Sequence, residues 1–502
     1  WDTSIRTSVS GAPAAVNAAQ IALGVTPGPQ NPDSADSSRG MIETKEAGTS
    51  LKVQYNMGGN TLTSITALRS TTYNNDTPAD LVPGNIYAYI PYNMGRLNTD
   101  KVSQEIRISS PTGQSLEYVG GLFYNRLKAQ QTQVQWATLG APTINANGTR
   151  ATTYYALTGA IGKAGNTAFF DAKDETSALF GQVKYNMTDK FSLSVGGRYT
   201  WDTNSQSLTY VNVDPLPITG VANPTFIATS APPFYPYGQV SSSKFSYRVA
   251  PQYQLSDETM LYSSYTTGFK PSGIAFVGNK YDPYFAETVE SFEIGQKSEF
   301  FNRRLRLNAD IYTQRFTNFQ ATVLTSIPGS AVLQSVIGNA GLLTSQGAEV
   351  NATYLLNNQL TVGGALTYTD AKFNNYVYNT TTNYSGTRLT NSPQISASVF
   401  ANYRTMISPD KQMNASIDYA YRSKYWTVVG QPAYSEVPAY GLLNARVGFK
   451  DVGSNFEYGV YARNLLNQYY STGWQQYGAL GLLHYTSQNA YRTAGVFANY
   501  KY

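Results

Sequence analysis

One histidine, His484, and no cysteine stand among 502 residues, which sets the first limit on the chemistry available. A hydrolase built on a histidine base has a single centre to use, and thiolate metal sites and disulfides have none. His484 sits in Leu482-Leu483-His484-Tyr485 with no nucleophile or acid spaced to serve it, so an ordinary loop or interface histidine is the plainer reading. Loop acids such as Asp33, Asp76, Asp171 and Asp174 lack the dense spacing of a calcium loop. No catalytic residue, metal site or cofactor is expected.

Two other sets of residues suit binding. By parity, Glu293, Lys297, Arg306, Asp310, Glu349, Arg198, Arg248, Arg422, Arg446 and Arg463 fall on the polar face of segments whose other face is apolar. A carboxylate projecting into a filled interior is partly desolvated and needs a fixed positive partner, whereas one facing open water needs none. The second set is aromatic: Tyr281, Tyr284, Tyr384, Trp426, Tyr434, Trp474 and Tyr477 lie in polar connecting stretches. Aromatic walls hold sugars, aromatic compounds or siderophores by stacking plus a few hydrogen bonds. The plainer alternative for each ring is membrane-interface anchoring or packing of loop on loop.

Segments of about ten residues with period two position both sets. Leu443, Ala445, Val447 and Phe449 alternate with Asn444, Arg446, Gly448 and Lys450, as Leu305, Leu307, Ala309 and Ile311 do with Arg306, Asn308, Asp310 and Tyr312. Short turns fall at 56–60, 186–189, 256–258, 301–303, 357–358, 408–410 and 452–454. Long polar stretches lie between them, at roughly 70–101, 127–175, 203–242, 270–285, 320–343, 372–391, 424–438 and 468–490. Tight turns on one side and long excursions on the other predict an all-β, antiparallel transmembrane barrel of about 17 strands. Residues 49–502 would form it, and 1–48 would add one strand at 1–10 followed by an extracellular loop. Pro251 removes a ladder donor, so it is expected at a bulge or near a strand end.

Composition agrees. Charged residues are 13% of the chain, against roughly a quarter in average soluble proteins, while there are 41 tyrosines and 42 glycines. The net charge of +5 is scattered rather than gathered, so a nucleic-acid partner is not expected. No stretch reaches the roughly 18 apolar residues of a membrane helix. Trp1 is neither an initiator Met nor the start of an export signal, so any signal peptide precedes this sequence.

Several local patterns then resemble the C-terminal barrel of TonB-dependent outer-membrane receptors from about Thr49 onward. They are Ser103-Gln104-Glu105-Ile106-Arg107-Ile108, Tyr262-Ser263-Ser264-Tyr265-Thr266-Thr267-Gly268-Phe269-Lys270, and Glu293-Ile294-Gly295-Gln296-Lys297 running to Arg304-Leu305-Arg306-Leu307-Asn308. Asn339-Ala340-Gly341, Ser345-Gln346-Gly347-Ala348-Glu349, Arg463-Asn464-Leu465-Leu466-Asn467 and a terminal aromatic, Tyr502, follow in order. The resemblance implies a barrel of about 22 strands in a Gram-negative outer membrane, so this chain would supply most of the wall. It also implies a lumen plug meeting Glu293 and Glu349, energy coupling through TonB–ExbB–ExbD, contact with lipid and lipopolysaccharide, and import of a scarce solute such as a siderophore, cobalamin, oligosaccharide or aromatic compound. Nothing here resembles the plug's glycine-rich stretch. The expected reading is a portion of a longer receptor that is not an enzyme. The alternatives are a passive, plugless 18-stranded channel and a structural or adhesive surface barrel.

Overall fold

Period-two alternation produces strands, and in the computed structural model almost every ordered element is one. The structure describes residues 5–10, 18, 20–26, 28, 41–76, 92–139, 142–144, 150–154, 162–213, 237–277, 280–326, 333–379, 381–476, 482–486 and 488–500. One barrel sheet contains seventeen strands. In chain order these are β1 (Met41–Met57), β2 (Asn60–Asp76), β3 (Tyr92–Ser109), β4 (Leu116–Leu139), β5 (Gly162–Asn186), β6 (Phe191–Val213), β7 (Tyr237–Ser256), β8 (Thr259–Lys270) and β9 (Glu287–Phe300). They continue as β10 (Leu305–Ser326), β11 (Leu333–Leu355), β12 (Leu360–Tyr376), β13 (Ile395–Ser408), β14 (Lys411–Arg422), β15 (Tyr440–Asp451), β16 (Phe456–Arg463) and β17 (Thr493–Tyr500). Each pairs antiparallel with the next, from β1–β2 round to β16–β17. The seventeen strands form a closed barrel, although no residue-by-residue ladder joins β1 to β17 among the described residues, and nearly all of β1 is exposed.

Connections sort by length as expected. Those at one end are 58–59, 110–115, 187–190, 257–258, 301–304, 356–359, 409–410 and 452–455; those at the other include 214–236, 271–286, 377–394 and 464–492. The turn at 110–115 was not legible in the sequence. Phe301, Asn302 and Arg303 all take left-handed φ (56°, 56° and 64°), which tightens the β9–β10 turn against the usual preference of side-chain-bearing residues.

The strands correct several expectations. β5 runs 25 residues and β4 runs 24, where about 9–11 suffice to cross a bilayer. Much of the sequence expected as loop, including 70–76, 92–101, 127–139, 162–175 and 203–213, is therefore strand rising above the membrane, where both faces are wet and alternation fades. The first barrel strand begins at Met41, not Thr49. Ile5–Ser10 is not a barrel strand; at six residues it is too short to cross, and it pairs with Leu482–Thr486, which also pairs with Gly473–Gln476. Pro251 sits inside β7 with no bulge. It faces Leu193 on β6, and the ladder to β8 skips 250 and 251 between Val249–Tyr265 and Gln252–Tyr262 without a register shift.

Register fixes the two faces. Val399–Tyr419, Ala415–Val447, Val447–Val460 and Val460–Val496 carry one apolar face round the wall, with Val496 82% exposed. Val447, Phe449, Ala498 and Tyr500 share that face, whereas Asn444, Arg446 and Asn499 lie on the other. An apolar face left uncovered in this way suits lipid. Packed cores occur instead at the long-loop end. Ala340, Leu343, Phe373 and Tyr376 form one with Phe316, Phe319, Tyr378 and Tyr384 around it; Tyr425, Val437 and Tyr440 form another.

Candidate functional site

Glu293 on β9, Asp310 on β10 and Glu349 on β11 share the inner face. Asp310 is directly opposite Glu349, and Glu293 lies one step diagonally from Asp310 through Gly295. Tyr262 of β8 donates its hydroxyl to Glu293 Oε1 at 2.6 Å. Glycine makes room for this arrangement. A Cβ on Gly295 would meet Ala309 O at 2.7 Å and the Tyr262 hydroxyl at 2.8 Å, and one on Gly347 would meet the hydroxyl of Tyr312 at 2.8 Å. Asp310 and Glu349 have no hydrogen bond or ion pair among the described residues, and the trio does not close into a group able to hold a metal ion. Lys297 lies over the Tyr262 ring (5.5 Å) rather than on a carboxylate. Like charges directly opposite on neighbouring strands are destabilising, and here Asp310 and Glu349 are opposed without a basic partner among the described residues.

Three of the expected lumen arginines find partners within the wall. Arg306 bonds Glu299 at 3.1 Å, Arg446 bonds Glu457 at 3.2 Å and lies 3.9 Å from the Phe497 ring centroid, and Arg463 covers the Tyr461 ring at 5.5 Å.

The loop aromatics fall into separate groups. Tyr281 and Tyr284 lie on a hairpin, Gly273–Val277 with Lys280–Tyr284, whose Ile274, Ala275 and Val277 are buried. Contacts from this hairpin to the paired strands β6 and β7 and also to β11, which neighbours neither, place it across the barrel mouth. Its base is pinned: Gln320 Nε2 donates to Pro271 O (2.8 Å) and Phe285 O (3.1 Å), Gln320 N donates to Glu287 (2.7 Å), and Phe285 N donates to Asn339 Oδ1 (2.7 Å). Burial, reinforced by Asp174, pushes the Tyr284 hydroxyl pKa up.

Tyr384 belongs to the first aromatic core, 5.0 Å from Tyr378 and 5.6 Å from Tyr376, and rests on Gly430, whose φ of +80° and lack of a side chain admit the ring. Tyr434 lies near Tyr384, and burial raises its pKa. Trp426 pairs opposite Glu436 and carries the Lys424 ammonium over its ring at 5.2 Å. Trp474 packs on the second core. Tyr477 lies outside the described residues. His484 sits on Leu482–Thr486 opposite Trp474. Tyr440 and Tyr470, stacked at 4.4 Å and 5°, were missed because Tyr440 opens a strand and Tyr470 lies just past the asparagine-leucine motif; only their place in three dimensions singles them out.

A polar-lined barrel wall, an apolar girth and packed extracellular loops define an outer-membrane transport or receptor barrel. The chain belongs to the family described as TonB dependent receptor-like, beta-barrel, whose model matches residues 2–465. It is thus an outer-membrane protein of Gram-negative type. Among similar proteins is a probable TonB-dependent siderophore receptor of Acinetobacter baumannii, 23% identical over 346 residues, 66% of this chain and 41% of that protein. Another is the ferrichrome outer membrane transporter/phage receptor of Escherichia coli, 25% identical over 262 residues, 52% of this chain and 30% of that protein. The solved ferric yersiniabactin uptake receptor of Yersinia pestis shares the fold with a TM-score of 0.71 at 16% identity, covering 94% of this chain and 63% of that one. The chain thus spans less than two thirds of the length of these relatives.

Proposed function

We propose that this chain is most of the wall of a ligand-gated importer, in which extracellular loops capture a scarce small solute and a basic body in the lumen blocks passage until energy from the inner membrane displaces it. The uncompensated row Glu293–Asp310–Glu349 carries the reading, because a water-filled pore gives three carboxylates no reason to crowd on adjacent strands. Glu293 and Glu349 are the contacts proposed for that body. The family's description and the name of the Acinetobacter baumannii relative support TonB as the source of energy, and no bond is broken in the transport step. Lipid and lipopolysaccharide meet the apolar face, and the aromatic loops, including Tyr281, Tyr284, Tyr384, Trp426, Tyr434 and Trp474, frame the capture surface.

The test is uptake by cells carrying the natural protein. Solute accumulation that collapses when a protonophore discharges the inner membrane supports the importer; accumulation unchanged by the protonophore favours the passive channel.

A further inference from the structure

At the mouth, β14, β15 and residues of three loops line a cavity of about 440 Å³ that plays no part in the lumen argument. Small-molecule sites run roughly 300–1,000 Å³. Arg422, Tyr425, Tyr440, Tyr470, Asn391 and Asn489 line it. Arg422 and Tyr440 are direct cross-strand partners on the inner face. The parallel stack of Tyr440 on Tyr470 makes a flat aromatic plane, and Tyr425 and the fully buried Val437 pack behind it. The hairpin carrying Tyr425 is tied at both ends, by Lys424 to Glu436 (3.3 Å) and by Asn391 N to Trp426 O (2.8 Å).

Charge in this cavity is one-sided. No carboxylate lines it, and Arg422 makes no ion pair or side-chain hydrogen bond with a described residue. Burial, then the charge of and a hydrogen bond with the neighbouring Tyr440, raise the Tyr425 pKa, so its hydroxyl stays neutral. A guanidinium with no partner among the described residues offers a planar fork matched to a carboxylate, and the tyrosine plane offers a face for stacking.

We propose that the Arg422–Tyr425–Tyr440–Tyr470 cavity binds an aryl carboxylate group, and that this group is the recognition element of the transported solute. The assignment rests on the importer reading above. A neutral sugar leaves the guanidinium unused, and a compact anion such as phosphate leaves the aromatic plane unused.

The experiment titrates benzoate into the natural protein in detergent micelles by calorimetry, with benzamide and cyclohexanecarboxylate as probes lacking the charge and the flat ring. Saturable benzoate binding, weakened by about tenfold or more in Arg422→Gln and less in Arg422→Lys, with both other probes weaker, is the expected result. Far-ultraviolet circular dichroism confirms that each variant keeps its sheet; Tyr470→Leu, which removes the stacking face and keeps Arg422, gives a second route if Arg422→Gln does not fold. Absence of saturable binding to folded wild type, equal affinity in a folded variant, or cyclohexanecarboxylate binding as well as benzoate overturns the assignment. Energised uptake that persists without benzoate binding leaves the importer standing and removes only this site. Benzoate binding with uptake indifferent to the protonophore does the reverse.

Discussion

From Thr259 to Leu355 the inner face presents Glu293, Asp310 and Glu349 without a basic partner among the described residues, whereas from Ile395 to Tyr500 the inner-face carboxylates Asp418 and Glu457 each have a local partner. In the second sector Arg446 meets Glu457, Asn444 donates to Asp418 at 2.7 Å, and Arg404 donates to Asn414 at 3.1 Å. Both sectors have the same ladders and the same outward apolar face. The two sectors therefore differ in whether the wall supplies partners for its own inner-face carboxylates.

On the lipid face the sectors should behave alike, and there the largest effect is expected. Val350→Arg and Val447→Arg should each destabilise the barrel by about 2–4 kcal/mol near the bilayer midplane, and Asn444→Arg far less. Urea unfolding in lipid vesicles measures this, and a cost at Asn444 equal to that at Val447 would refute the assigned faces.

On the inner face the sectors should part. Glu349→Lys relieves repulsion with Asp310 and should stabilise the isolated wall by up to about 1 kcal/mol, whereas Arg446→Glu, placed beside Glu457, should cost a similar amount. The same unfolding titration reads both, and two changes of the same sign would break the comparison. Glu457→Gln should cost no more than about 1 kcal/mol, because the pair is substantially exposed, and the cost should shrink in high salt.

The smallest effect lies in the β13–β14 turn, outside the membrane. The Ser408 hydroxyl bonds Asp410 at 2.5 Å and, with a backbone donor, holds its carboxyl below the ordinary range. A depressed folded pKa gives stability that is present above the unfolded value and is lost as pH falls through the folded one. Ser408→Ala should therefore lower stability at pH 7 and make no difference once the carboxyl is protonated in acid; a deficit that persists in acid would contradict this.

Much of this was legible in the chain. Alternation in residues 305–312 and 443–450 placed Asp310, Arg446 and their neighbours on the correct faces, since one face must meet lipid. The extracellular half was harder to read. β4, β5 and β6 extend far above the membrane, where nothing enforces a period of two, so polar strand looked like loop. The acidic trio was visible residue by residue, but the opposition of Asp310 to Glu349 depends on register. The binding candidates depended on folding of the loops: Tyr384 proved to be part of an aromatic core, while Arg422 and Tyr440 gained a shared cavity only through Tyr470.

The central claim, that the acidic sector holds a basic body in the lumen, is tested most directly by single-channel recording of the natural protein in planar bilayers. The wild type should be closed, and Glu293→Gln/Asp310→Asn/Glu349→Gln should open in frequent, large steps as the body loses its hold. A wild type that conducts steadily, or a folded triple variant that stays as closed as the wild type, would contradict it.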